Sequence, residues 1–529
     1  MSSAAEQVLS IGDGSGWSFL GGTWTQPGDA IRPPNVPNLH SRAFHIASAY
    51  GDLTAEFEYN ANYRELGHGD AGLVIGARDG GNFHYIHFPW GGQSLRAKSF
   101  WGGVAKVSGD GYIRNVVYQS VAGVPSETDR WYRVRVQVKG THIRVWVDGR
   151  RAFEAHDDSY QGGCVGLAGY GWYFFRNVRI AGTPIDPPKW DDSVQIHNPA
   201  FELPVTSKNM PSGCMAPNGD VLIGSGGQLL RSTDKGRTWT NETLPESIGG
   251  LTDYGNTMFR DSNDRLFVFI WRNRKTTGTN MPEILISESL DNGKTWSEPV
   301  ASQVAEGWPA DPGSLTAYGP LCETADGTLL RFFLGSVHVG ADLTYTDIRS
   351  WGAYTGCKAF CIRSTDGGKS WSGPIELDRP CWDGVPRGNL PGSIDFTEPT
   401  GVAIGNTVTV TIRPAYSREM WQCWSYDAGK TWDAASRTTF PGYAQSMIRT
   451  QSGAIVCGHR NPNYCVNISY DDGVNWDAGT VIDYPAWAMG CMVQVEPDVL
   501  LCTYMNADRG RPLLGQIIRV TDDGIVPVQ

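Results

Sequence analysis

The chain has no Lys/Arg run, no long apolar stretch and no paired Cys-x-x-Cys set. It also has few of the Ala, Leu, Glu and Lys runs that build long helices. Each absence excludes something. Without a basic patch, and with a net charge of −11, a nucleic acid or other polyanion is not the partner. No segment approaches the ~20 apolar residues of a membrane helix, so no membrane partner is expected. The opening MSSAAEQVLSIGDG lacks a basic n-region and an apolar h-region. The expectation is a cytoplasmic protein, or a secreted one whose leader has been removed. The eleven cysteines are odd in number and scattered. Cys214, Cys457 and Cys491 sit in apolar runs, and Cys357 and Cys361 lack a second pair to make a zinc site. Reduced core thiols are expected, with no cofactor and no metal cluster. A structural calcium on either domain stays open.

What is present is aromatic and turn-rich: 20 Trp, 21 Tyr, 65 Gly and 31 Pro in 529 residues. This favours short strands and tight turns, over two to four domains. The stretch AGTPIDPPKWDD marks a boundary, because Pro-Pro resists both helix and central strand. We divide the chain into residues 1–182, a linker at 183–192, and residues 193–529. The first part alternates with period two in LTAEFEYNANY, AGLVIGARDGGNFHYIHFPW and WYRVRVQVKGTHIRVWVDGRRAFEA. The last of these reads as a hairpin, with Lys139-Gly140 at its turn and Asp148-Gly149 ending its second strand. The expectation is an all-β sandwich. The pattern WYRVRVQVKG…IRVWVDG and the ending GGCVGLAGYGWYFFRNVRIAG resemble the concanavalin-like (laminin-G-like) jelly rolls. That resemblance implies architecture and, for many members, sugar binding; His84, Trp90, Trp101 and Trp172 are the candidates to stack on a sugar, against a plain packing role.

The second part repeats itself. RSTDKGRTW, SESLDNGKTW, IRSTDGGKSW, WSYDAGKTW and ISYDDGVNW share Ser/Thr-x-Asp-x-Gly-x-x-Trp, with Trp at 239, 296, 371, 432 and 476. The types suit one turn. Asp accepts turn N–H groups, Gly supplies a positive φ, Ser or Thr adds a local hydrogen bond, and Trp folds back over the hairpin. This is similar to the Asp-box of the sialidase-like (BNR-repeat) β-propellers. The resemblance implies that the box joins the third and fourth strands of a blade, away from the active site, so its Asp residues are not catalytic. Spacings of about 45–75 residues fit four-stranded blades. Five boxes and a final boxless blade imply six blades, closed by VQIHNPAF beside IIRVTDDGIVPV.

That topology assigns residues to the opposite, functional face: Asn209, Ser212, Asp253, Asn256, Arg272, Arg274, Tyr318, His338, Glu398, Arg413, Gln445, His459, Arg460, Trp487, Tyr504 and Asn506. Glu398 and Arg413 match the Glu and second Arg of the sialidases. Other sialidase residues are missing. Asn209-Met210-Pro211-Ser212 stands where an Arg belongs, GSGGQLL has no acid, and Ala488-Met489-Gly490 stands where the nucleophilic Tyr belongs. Arg460 or Tyr464 fits the third Arg. The expected activity is therefore exo-acting hydrolysis of a terminal, acidic, non-sialic sugar. Glu398, Asp253, His338 and His459 are the candidate catalytic groups, and Arg413, Arg460, Arg272, Tyr504 and Trp487 the candidate substrate ligands. A lyase acting on a uronate-containing glycan and a non-catalytic sugar-binding protein are the alternatives. Arg413→Ala is expected to abolish activity with little change in thermal stability.

Overall fold

The structure is a computed structural model. It describes residues 6–34, 40–61, 68–88, 90–91, 100–127, 129–170, 173–206, 210–248, 256–276, 279–308, 315–336, 357–377, 396–414, 419–460, 463–484, 490–505 and 511–528. Among these, the single helix is the 3₁₀ turn Glu246–Ile248, and no helix is long and apolar enough to cross a membrane. The chain forms two compact units. The first is Met1–Asn198 with Pro462–Cys465 and Ala478–Pro485; the second is the remainder.

In the first unit the strand Ser41–Ala61 serves two sheets. Residues from 41 to 50 pair with Gly163–Tyr170, and residues from 53 to 61 pair with Trp131–Lys139. One sheet continues through His142–Val147 to Arg150–His156, the other through His68–Ala77, Phe83–His87 and Trp101–Val107 to Ile113–Ser120. Burial along Trp131–Lys139 alternates residue by residue, as its sequence does. The inward set meets between the sheets as an apolar core including Phe57, Leu73, Ile86, Val134 and Val145. The last strand, Tyr173–Ile185, runs three residues beyond position 182. Asp148-Gly149 forms a second tight turn with both residues at positive φ, so the hairpin continues into a third strand.

In the second unit five blades stand as sheets of their own, where six were expected. Their inner strands are Ser212–Met215, Thr257–Arg260, Leu315–Glu323, Phe396–Ile404 and Cys491–Glu496. The segment expected to supply a further blade pairs Ser446–Arg449 with Ile455–His459. Thr480–Asp483, expected as its last strand, belongs to the first unit and pairs there with Ile113–Ser120, so no separate sheet results. The closing strand beside Pro512–Thr521 is Phe201–Thr206, which begins where the expected one ended.

The five repeated turns have one hydrogen-bond pattern. In the first, the Ser232 hydroxyl donates to Asp234 Oδ1 (2.7 Å) and accepts from Gly236 N (2.8 Å), while Thr238 N donates to Asp234 Oδ1 (2.8 Å). Ser289, Ser364, Ser425 and Ser469 repeat the scheme with Asp291, Asp366, Asp427 and Asp471. The Gly of each turn has φ between 80° and 91°, a region closed to most side chains. The five tryptophans pack into the apolar clusters of the blades. All nine described cysteines are free thiols, as expected. Burial pushes Cys214, Cys322, Cys457 and Cys491 up to about 12, far from reactive thiolates.

Candidate functional site

The inner strands leave the propeller axis open. A cavity of about 520 Å³ runs between them, lined by residues such as Cys214, Met258, Leu321, Met447 and Met492. Its wall is mostly backbone and apolar side chains. The cluster described next does not line it, so this cavity and that cluster lie apart.

The cluster forms where inner strands begin and second strands end, at the opposite end of the blades from the repeated turns. Three neighbouring segments lose regularity there. The ladder between Phe396–Ile404 and Thr407–Pro414 shifts register between Thr397 and Thr400, because Pro399 has no N–H to donate. Glu398 sits in that bulge with φ 51°, and Ala444 has φ 53°. A left-handed conformation in residues other than glycine costs about 1–3 kcal/mol and recurs at functional sites. The neighbouring strand Leu315–Glu323 bulges after Tyr318. Its Gly319 lies so close to Thr400 that a Cβ would come within 2.8 Å of the threonine hydroxyl. Arg331, fully buried, donates to the bulged carbonyls of Tyr318 (2.9 Å) and Gly319. Burial lowers this guanidinium to about 9.

These bends aim side chains at one another. Glu398 Oε1 accepts from Arg413 Nη1 at 2.6 Å, and Oε2 accepts from Ala444 N at 3.1 Å. Gln445 Nε2 donates to the Glu398 carbonyl at 2.5 Å. Glu398 and Arg413 are about 95% buried, so this is an interior ion pair. Tyr443 stands beside it. The Arg413 guanidinium lies 3.2 Å from the Tyr443 ring centre, and that of Arg460 lies 4.0 Å from it. Burial alone would lower both arginines. For Arg413 burial is the largest single influence, but the charge and hydrogen bond of Glu398 together with Tyr443 and Tyr318 outweigh it and the net shift is upward; for Arg460 burial wins and the shift is downward. Tyr318 adds a second phenol within electrostatic reach of both guanidiniums.

The structure therefore brings together Glu398, Arg413 and Arg460, with Tyr443 between the arginines. Our sequence reading passed over Tyr443, which precedes its strand by three residues in PGYAQSMIR. Only the left-handed Ala444 turns it into the cluster. His459 is a correction. One residue before Arg460, it faces the other side of its strand, where Nε2 meets Asn467 Oδ1 at 2.7 Å and the ring stacks on Phe440. Burial lowers it to about 4, which suits a neutral core histidine and not a proton carrier near pH 7. Tyr504 is a second correction: it is fully buried, and its hydroxyl accepts from Gln516 Nε2 at 3.0 Å. Arg272 is exposed and registers opposite Glu283. Ser212 bonds Thr257 and Met258, and Asn256 accepts from Trp271 N, so both brace neighbouring backbone and side chains. Asp253, His338, Trp487, Asn209 and Asn506 lie outside the described residues, and so does the side chain of Arg274.

In the sandwich unit, His84 is buried and bonded to Asp157 at 2.8 Å, and Trp101 is buried against Tyr118. Neither is placed to stack on a sugar. Trp172 and the side chain of Trp90 lie outside the described residues.

Residues 252–484 match the BNR repeat-like domain. The blades and repeated turns make the second unit a β-propeller, and this match covers part of it. Residues 10–181 match the 3-keto-alpha-glucoside-1,2-lyase-like domain, over the sandwich. No curated protein matches the chain. Among solved structures, a Hadza microbial sialidase is 14% identical, with 92% of this chain and 95% of that chain covered and a TM-score of 0.44. The NanB sialidase of Streptococcus pneumoniae is 11% identical, with 88% and 94% covered and a TM-score of 0.40. An α-L-arabinanase of Penicillium chrysogenum is 15% identical, with 60% and 94% covered and a TM-score of 0.41.

Proposed function

We propose that the propeller captures the acidic terminal sugar of a glycan and cleaves it from the end. The observation that carries this reading is the cluster of Arg413, Tyr443 and Arg460. Two buried guanidiniums flank one phenol beside one carboxylate, so the group suits an added anion. A uronate or similar carboxylate would receive charge-assisted hydrogen bonds there, strengthened by burial. Glu398 has both oxygens engaged, so we assign it the task of holding Arg413 and the Tyr443 turn rather than moving a proton. Glycosidic cleavage usually needs two groups flanking the bond. Tyr443 is our candidate for one, as nucleophile or base. Asp253 and His338 remain the candidates for the acid.

A second reading is favoured by one feature: among the described residues, the engaged Glu398 leaves this cluster without a free carboxyl group. On that reading the propeller binds the same glycan end without turnover. A panel of glycans with uronate and neutral termini separates the readings. Release of the terminal sugar without ultraviolet absorbance supports the hydrolase. An absorbing product marks a lyase instead, with Tyr443 as the base. Binding that Arg460→Ala weakens, with no product, supports the second reading. Absence of both binding and product for acidic termini defeats the proposal.

A further inference from the structure

The outer hairpin of the sandwich unit carries an arrangement that the propeller reading does not use. His142 and His156 are directly opposed across the pair His142–Val147 and Arg150–His156. Glu154 is two residues before His156, so its side chain rises from the same face. The two imidazoles stack with centres 4.1 Å apart and planes 16° apart. One ligand atom from each of the three side chains lies within 4.8 Å of the others. A tetrahedral zinc ion with bonds of ~2.0–2.1 Å sets its ligand atoms about 3.3 Å apart, a spacing that small rotamer adjustments reach from here.

We propose that His142, Glu154 and His156 bind a divalent first-row transition ion, with Zn²⁺ the best fit, and that the ion staples the two strands together. The donor set is the argument. Two imidazoles and one carboxylate suit Zn²⁺ and exclude the hard all-oxygen ions calcium and magnesium. All three ligands stand on paired strands rather than on a loop, so little order is lost when the ion binds. His142 and Glu154 are half-buried and His156 is exposed, which leaves an approach for the ion and a fourth position for water.

Two arginines oppose this. Arg144 sits across from Glu154, with Nε 3.2 Å from its carboxylate, and Arg151 also contacts that carboxylate. Arg151 reaches the same face only because the ladder carries a bulge at Ala152, which offsets the normal alternation. Arg144 stands on Oε1 and Arg151 on Oε2, so the ion must displace one guanidinium before it can share the carboxylate. The positive charges still weaken the ion's hold.

The test uses the full chain stripped with a chelator, then titrated with Co²⁺ and Zn²⁺. We expect one equivalent of Co²⁺ to give a visible absorption band that Zn²⁺ displaces, and Zn²⁺ to raise the melting temperature. His156→Ala removes an exposed side chain and should abolish both responses; if that variant does not fold, His156→Gln is read in its place. Glu154→Gln keeps both imidazoles and should weaken binding at least tenfold. Arg151→Ala should tighten it about three- to tenfold, because an exposed opposing charge is removed. The proposal is overturned if Co²⁺ gives no band and Zn²⁺ leaves the melting temperature unchanged. It is equally overturned if the His156 variant binds as tightly as the parent, which would put the ion elsewhere.

Discussion

The two ends of the propeller blades are built from the same strands by opposite rules. At one end, five turns repeat a single hydrogen-bond scheme, each with a Gly at a φ of 80° to 91° preceded by a second left-handed residue, Lys235, Asn292, Gly367, Ala428 or Asp472. The other end is held differently. Glu398 and Ala444 take left-handed conformations that glycine would adopt at lower cost, and bulges interrupt two inner strands. The regular end is satisfied by neighbours four residues away. The irregular end is satisfied by residues from separate strands, such as Ala444 N on a carboxylate 46 positions earlier. A fold that needed only stability would use the first kind of end twice.

The contrast can be broken by substitution. The largest effect is expected from Arg413→Ala. The burial of its partner Glu398 corrects our sequence expectation of unchanged stability, because the variant leaves that carboxylate buried without its cation. We expect a loss of about 3–5 kcal/mol by urea denaturation. A loss under about 1 kcal/mol would mean that the pair is solvated and the irregular end is not strained. Next is Ser425→Ala at the regular end, which strands the buried Gly429 N–H and should cost about 1–3 kcal/mol. An equal cost for Ser289→Ala would sharpen the view that these turns are interchangeable.

Acid should then attack the regular end. Asp234, Asp291, Asp366 and Asp427 are each held near 2 against an ordinary 3.8. For Asp234 and Asp291 the leading cause is the hydroxyl of Thr238 or Thr295, followed by backbone N–H. For Asp366 and Asp427 partial burial pushes the other way and is outweighed by the same kinds of bond. The folded state favours the ionised form. Their contribution is therefore complete above about pH 4 and lost as pH falls toward 2, a window readable as melting temperature against pH. A flat profile between pH 4 and 2 would contradict the bonding scheme. The smallest effect is expected from His459→Gln, beside Arg460→Ala. Glycan binding should survive the first and fall at least tenfold in the second, by calorimetry. Equal losses would erase the distinction between the two faces of that strand.

Much of the fold was legible because its signals are local. The alternation of WYRVRVQVKG becomes alternating burial, and the spacing of Ser, Asp, Gly and Trp becomes a turn, with no help from distant residues. Glu398 and Arg413 were legible for a similar reason: they open and close one β-hairpin, so topology alone sets them side by side. His459 was misread because strand-end position gives the neighbourhood but not the side. A shift of one residue separates the core pair with Asn467 from the cluster that holds Arg460. The blade count failed at Thr480–Asp483, whose partner strand lies more than 350 positions away.

Sequence by itself determined that this protein is all-β, that its first and second parts differ in architecture, and that the second part is built of repeated hairpins. Those features follow from side-chain period and turn chemistry, which act over a few residues. Tertiary structure alone decided that Tyr443 stands between two guanidiniums, that Glu398 has both oxygens engaged, and that two histidines meet a glutamate across one hairpin. Such meetings depend on bulges and left-handed residues that rotate a side chain by one face, and a one-face rotation has no signature in composition or spacing.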